Sequence, residues 1–256
     1  TRAQVRDDYF NRAPAEWRRV GRWEVTNRFT CDPRWSHLAG MSEGGAAILW
    51  SKTEYDGDMT VEFYAGHKMR RTEEWQAEMY YPRVGDINVA ICGDGEDLDS
   101  GYTVTLSGWD PTWSETWTRL RRGGKVVAES DRELVPRNRE AYPRKRIIPV
   151  PWISKGRAIH GAWYYVKLRK VGNRIEYYFD NELVLSYEDP KPLSGRRIAL
   201  WTHDNWVMFA RAKVSYAAKE TPSPLVEIPE VEPVPDPIVP EEFDSGETTV
   251  VPRGVS

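Results

Sequence analysis

The chain has 256 residues, with 36 Lys plus Arg against 39 Asp plus Glu, a formal net charge of −3 and only 2 cysteines. That length suffices for one sizeable β-sandwich core, and the lack of any apolar run of about eighteen residues excludes a helical membrane span. No Cys-x-x-Cys pair or Cys/His cluster is spaced for zinc, and the charge balance is too weakly basic for a nucleic-acid argument, so zinc chemistry and nucleic acid are not expected.

The twelve tryptophans and thirteen tyrosines favour strands. In chain order, an N-terminal arm over 1–21 is expected to hold one short helix, with Pro14 in its first turn and Gly21 as its stop. After it the pattern has period two. Trp23-Glu24-Val25 alternates, as does Thr60-Val61-Glu62-Phe63-Tyr64, and Ile87, Val89 and Ile91 share one face. Tyr102–Leu106 and Trp117–Arg121 follow, and Gly123-Gly124 turns the latter into Lys125–Ala128. Trp163–Arg169 runs through Val171-Gly172-Asn173 into Arg174–Phe179, and Asp180-Asn181 leads on to Glu182–Tyr187. Arg197–Trp201 and Phe209–Val214 close the body. Many short strands with turns at this spacing predict an all-β, two-sheet antiparallel jelly-roll sandwich over 22–218.

Residues 219–256 are different. From Glu220 on there are eight of the 18 prolines, nine of the 39 acidic residues and a single base, Arg253. This leaves 35 basic and 30 acidic residues in 1–219, so a body of +5 carries a tail of −8. Proline lacks the donor and fixes φ, so an extended, Pro-rich tail is expected. Pro222, Pro229, Glu230, Glu232, Pro235, Pro237, Glu241 and Glu242 would present rigid turns and charge to a basic surface on a protein partner or on the body itself. The chain begins at Thr1, which fits removal of a signal peptide. Cys31 and Cys92 stand beside predicted strand ends and allow one disulfide. Both points favour a periplasmic, cell-surface or secreted location.

The stretch Trp163 to Asp180, followed by Asn181-Glu182-Leu183-Val184, resembles a hairpin of concanavalin A-like, laminin-G-type jelly rolls of the bacterial secreted kind. There a strand of the form W…V.L.K.G precedes I.YY.D..LV. The segment Pro192–Trp201 resembles the next piece, a strand of the type G..IALW, and Ile48–Lys52 with Gly57–Phe63 resembles the early paired strands. The resemblance covers about residues 20–216. It implies a fold shared by lectins, hydrolases, lyases and adhesion modules.

Glycoside hydrolysis needs two carboxylates facing one groove. The Glu-x-Asp-x-x-Glu signature of the glucanases in this superfamily is missing, and Glu54–Asp58 reads as a polar turn. Glu74 and Glu78 share a strand face about 13 Å apart, too far for a direct pair. An enzyme would have to combine Glu78 with a carboxylate such as Asp86, or use His203 for acid–base work. Asp94, Asp97 and Asp99 lie in an acidic loop suited to calcium, though without EF-hand spacing. Trp109, Trp113 and Trp117 recur every four residues and offer stacking platforms for sugar rings. Trp75, Trp201, Asn205 and Trp206 are the other candidates for ligand contact. The basic tip Arg119–Lys125 suits an acidic partner, including the tail. The leading expectation is a non-catalytic extracytoplasmic accessory or structural subunit, docking through its terminal extensions onto a larger protein assembly, either a cell-surface lattice or a membrane-associated complex. The alternatives are a carbohydrate-binding module and a glycan hydrolase or lyase.

Overall fold

Alternation of apolar and polar residues dictates the architecture. In 59–67 the odd positions Met59, Val61, Phe63 and Ala65 are buried, while Thr60, Glu62 and Tyr64 between them are half-buried. A strand with that pattern must cover a core with one face only. The computed structural model describes residues 3–26, 33–68, 70–71, 79–80, 85–109, 116–135 and 162–217. The chain divides into two units at Glu220, and every described residue belongs to the first, Thr1–Glu220.

In chain order the strands begin with β1 (Ala3–Asp8), β2 (Trp17–Val20), β3 (Arg22–Thr26), β4 (His37–Met41), β5 (Ala46–Ser51) and β6 (Met59–His67). The short pair β7 (Arg70–Arg71) and β8 (Met79–Tyr80) precedes β9 (Asn88–Gly93), β10 (Tyr102–Trp109), β11 (Thr116–Arg122) and β12 (Lys125–Ser130). The last five are β13 (Tyr164–Val171), β14 (Arg174–Phe179), β15 (Glu182–Glu188), β16 (Arg197–His203) and β17 (Trp206–Ala217). All pairings are antiparallel. One eight-stranded sheet runs β15-β14-β13-β6-β17-β4-β3, with β1 also on β17. A seven-stranded sheet runs β12-β11-β10-β9-β16-β5-β2.

The two sheets enclose one core. Val61, Phe63, Val166, Leu168, Tyr177 and Phe209 come from the larger sheet, and Leu49, Val89, Ile91, Val104, Leu120 and Leu200 from the smaller. Each such side chain contributes about 1.5–3 kcal/mol on burial. The two-residue turns expected from sequence are present. Gly123-Gly124 (φ 54° and 74°) joins β11 to β12, and Asp180-Asn181 (φ 46° and 67°) joins β14 to β15. Positive φ at both central residues matches the twist of the flanking strands.

The N-terminal stretch departs from expectation. Among the described residues there is no α-helix, only two 3-10 turns, Pro33–Trp35 and Leu98–Ser100. In place of the expected helix stand β1, which pairs with β17 from Ala3–Ala217 to Asp8–Ala212, and β2, which pairs with β5. Phe10 and Trp17 belong to the core. Their apolar surface and the open edge of β5 outweigh a weak local helix preference. Gly21 does not stop a helix. At φ 81° it passes the chain from β2 in the smaller sheet to β3 in the larger, where a Cβ would lie 3.1 Å from the Ala46 carbonyl oxygen.

Candidate binding face

The three sequence-derived ligand residues whose side chains are described, Trp201, Asn205 and Trp206, do not line one groove. Trp201 lies in β16 on the outside of the seven-stranded sheet, 9% exposed, in a small apolar cluster with Trp50, Ala90 and Ala199. Trp206 opens β17 on the outside of the eight-stranded sheet, half-buried, with Lys68 Nζ 5.8 Å from its ring centre. The two tryptophans therefore face opposite sides of the sandwich. Asn205, between them, is 3% exposed. Its Nδ2 donates to the Gly85 carbonyl at 3.0 Å, and its Oδ1 accepts from the Trp206 amide at 2.8 Å. It orders backbone rather than facing solvent.

Asp86 is buried at φ 57°, with its N–H donating to the Leu106 carbonyl at 2.9 Å. His203 is exposed at the end of β16, opposite Ala46. Trp75, Glu78 and Trp113 lie outside the described residues, as do the tail positions Pro222, Pro229, Glu230, Glu232, Pro235, Pro237, Glu241 and Glu242. The backbone of Trp109 pairs with Thr116. Trp117 sits on the outside of the smaller sheet under the guanidinium groups of Arg119 (4.0 Å) and Arg121 (5.9 Å). The basic hairpin is engaged within the body, since Arg119 pairs with Glu129 and Arg122 with Asp189. Cys92 is a buried free thiol, its pKa pushed up to about 11 by burial, so the bridge allowed by sequence is not formed at this residue. Cys31 lies outside the described residues.

The acidic loop turns part of its carboxylates onto its own backbone. Asp94 Oδ1 accepts from the amides of Glu96 (2.8 Å) and Asp97 (2.9 Å), and Asp97 Oδ1 accepts from the Asp99 amide at 2.8 Å. These bonds hold the Asp94 carboxyl below its ordinary pKa. Among the described residues no group of three or more His, Cys, Asp or Glu is arranged to hold a metal ion.

A different surface brings chemistry together, the outer face of the eight-stranded sheet. Register sets its rows. Tyr165 on β13, Tyr64 on β6, Ala210 on β17 and His37 on β4 lie side by side. In the next row stand Tyr178 (β14), Lys167 (β13), Glu62 (β6) and Lys213 (β17). In the third stand Glu176, Arg169, Thr60 and Ser215. Trp35, from the 3-10 turn before β4, closes the first row, with its ring centre 5.0 Å from Tyr64 and 6.1 Å from Trp163. Tyr64 and Tyr165 are 5.4 Å apart. The rings of Trp35, Tyr64, Trp163, Tyr165 and Tyr178 are all half-buried.

A bulge in β17 completes the group. The register with β6 slips between Ala210 and Lys213. Arg211, at φ 51°, is turned outward, its guanidinium 4.8 Å from the Trp35 ring centre and 5.8 Å from that of Tyr64. Bulges re-aim a side chain in this way, at some cost in backbone strain. Lys167 Nζ lies 4.1 Å from the Tyr178 ring centre.

The carboxylates here are held by partners. Glu62 accepts from the Tyr165 hydroxyl and lies 3.5 Å from Lys213. Burial and that bond push the Tyr165 pKa well above the ordinary tyrosine value. Burial opposes ionisation of Glu176, but hydrogen bonds from Arg169 and Tyr178 outweigh it and keep its carboxyl below the usual range. Glu62 and Glu176 stand two strands and one row apart, roughly 12 Å between Cα atoms. That arrangement stacks and hydrogen-bonds a ligand, but it provides no close pair of acids.

Sequence reading missed this face because the signal sits inside strands rather than in loops. Tyr64, Tyr165 and Tyr178 are aromatic residues at outward positions of alternating strands, next to inward Phe63, Tyr164 and Tyr177. The alternation identifies them, but nothing local shows that they meet.

No protein-family model matches the chain, and neither does any curated protein. Similarity is found among solved structures. The exoplasmic/lumenal domain of VIP36 in a Ca2+/Man3GlcNAc-bound form is 10% identical, with 84% of this chain and 92% of that one covered at a TM-score of 0.52. The carbohydrate recognition domain of Emp47p is 11% identical (84% and 95% covered, TM-score 0.50). A Bacillus subtilis protein of unknown function with a galectin-like fold is 13% identical (83% and 96% covered, TM-score 0.50). The fold is a concanavalin A-like, galectin-like jelly roll. At these identities the likeness is one of fold, as the resemblance in 163–201 implied.

Proposed function

We propose that this concanavalin A-like sandwich is a non-catalytic, extracytoplasmic carbohydrate-binding module that uses the outer face of its eight-stranded sheet. The observation that carries the reading is the group of half-buried rings from Trp35, Tyr64, Trp163 and Tyr165, placed beside polar and charged side chains. Aromatic faces stack on the apolar faces of sugar rings, and neighbouring polar groups fix their orientation. Two proteins of the same fold support it, one described as a carbohydrate recognition domain and one as bound to Man3GlcNAc. The carboxylates of this face are separated and paired with cations or tyrosine, which argues against hydrolysis there.

The test is affinity electrophoresis and calorimetry against a polysaccharide panel, with Trp35→Ala and Tyr64→Ala as variants. Binding lost in both variants while they remain folded supports the module. A folded wild type that binds no glycan, or that cleaves one, overturns it.

The accessory-subunit reading is favoured by the charge split alone, a −8 tail on a +5 body. It no longer draws on the N-terminal stretch, whose strands pair within the sandwich. Deleting 220–256 would release the chain from a protein partner in co-purification. Retention after deletion rejects that reading.

A further inference from the structure

The charges on the outer face of the eight-stranded sheet are unequal in a way that selects among glycans. Four cations stand on its central rows, Lys167, Arg169, Arg211 and Lys213, against two carboxylates, Glu62 and Glu176. Both carboxylates are recessed, their side chains 21% and 6% exposed, and both are neutralised. Lys213 serves the first, and Arg169 and Arg174 serve the second. Among the described residues neither Arg211 nor Lys167 forms an ion pair. Each is placed instead against an aromatic ring, 4.8 Å and 4.1 Å from the ring centres of Trp35 and Tyr178.

A half-buried guanidinium held beside a ring is partly stripped of water and fixed in direction. It still has donors that a neutral sugar hydroxyl satisfies less well than an anion does. The bulged backbone at Arg211 sustains a positive φ of 51° to put it there, and strain of this kind clusters at sites of use. Arg211 on β17 and Lys167 on β13 are two strands apart, about 10 Å, a gap that a disaccharide-sized ligand bridges. Tyr64 and Tyr165 lie beside that line as stacking surfaces.

Resting on the carbohydrate-binding reading, we infer that the ligand is an anionic polysaccharide, its rings carrying carboxylate or sulfate, with Arg211 as the anchor for one charge and Lys167 for the next. Sugar rings stack on the tyrosines, and the recessed glutamates, already paired with Lys213, Arg169 and Arg174, leave Arg211 and Lys167 for the ligand.

The experiment compares the full chain with polygalacturonate (carboxylate), carrageenan (sulfate) and neutral β-glucan and mannan, by calorimetry in 50 mM and 500 mM NaCl. The variants are Arg211→Gly, Lys167→Gln and the two combined. Glycine suits the left-handed backbone at 211, so Arg211→Gly removes the cation without adding strain, and thermal melting verifies the fold. Expected is binding to one or both anionic chains that weakens in high salt and by about tenfold or more in Arg211→Gly. The carboxylate and sulfate arms identify which group is read. Salt-indifferent binding of a neutral glycan that survives Arg211→Gly overturns the inference while leaving the module intact. Anionic binding unchanged in the double variant also overturns it, because the charge would then be read elsewhere. Failure to bind any chain removes both readings.

Discussion

Replacing Asn205 with alanine separates a structural role from a ligand-binding one. By sequence Asn205 stands beside Trp206 as a hydrogen-bonding group for sugar. In the fold it is 3% exposed, and its amide ties the turn after β16 to Gly85 and to the Trp206 backbone. The same turn is held to the β4–β5 loop, where the Ser42 amide donates to the Asn205 carbonyl at 3.1 Å and the Gly44 amide to Asp204 Oδ1 at 3.0 Å. Truncation removes the Oδ1 acceptor of the Trp206 amide and the Nδ2 donor to the Gly85 carbonyl, at about 1–3 kcal/mol for a buried polar contact. With the small cavity, a loss of about 2–3 kcal/mol follows. For a body of this size that lowers Tm by roughly 5–10 °C.

Asn205→Asp keeps the acceptor but sets an oxygen against the Gly85 carbonyl, so it should destabilise at least as much. Both variants are measured by thermal and urea unfolding, and by glycan binding well below the melting temperature. Reduced stability with near-normal binding is the expected result. Unchanged melting with binding weakened more than about tenfold would refute the reasoning and make Asn205 a ligand contact.

Three further outcomes follow from the packing and the buried charges. Gly66→Ala puts a Cβ 2.5 Å from the Ala162 carbonyl oxygen, so the chain entering β13 must shift. A loss of about 1–3 kcal/mol is expected, together with weaker glycan binding through displaced Trp163; normal stability and binding would show that the approach relaxes freely. The Tyr177 hydroxyl is buried with no hydrogen-bond partner, so Tyr177→Phe should leave stability unchanged or raise it by about 1 kcal/mol. A loss of similar size in urea unfolding would mean that the hydroxyl is satisfied. Burial lowers the ring pKa of His67 to about 4, and burial with the nearby Lys68 charge does the same for His37. Below the unfolded value of about 6.5 the unfolded chain takes up protons that the folded one refuses, so stability falls as pH drops from about 6.5 toward 4. A urea midpoint as high at pH 4.5 as at pH 7.5 would contradict this.

Much of the β architecture was legible in the chain. Arg174–Phe179 is a strand with the expected limits, and Ile87, Val89 and Ile91 are all fully buried. These features are local, because alternation and positive-φ turn residues are fixed by neighbours in sequence. His37–Met41 was missed because all five of its residues are buried and no alternation shows. The N-terminal stretch was misread as helical because what recruits it is an edge. β1 pairs with β17, more than two hundred positions away, and no local pattern announces that partner.

The sequence by itself determined that this protein is an aromatic-rich antiparallel sandwich with an acidic, Pro-rich end, and which side of each long strand turns inward. Only the tertiary structure decided which outward side chains meet. It separated Trp201 from Trp206 by the thickness of the sandwich and turned Asn205 and the Asp94 loop onto their own backbone. It also gathered Trp35, Tyr64, Trp163, Tyr165 and Arg211 from distant segments onto one face. Side-chain alternation is an intrastrand property with a period of two, whereas the neighbours across a sheet depend on strand order and register, which are settled only when the whole core closes.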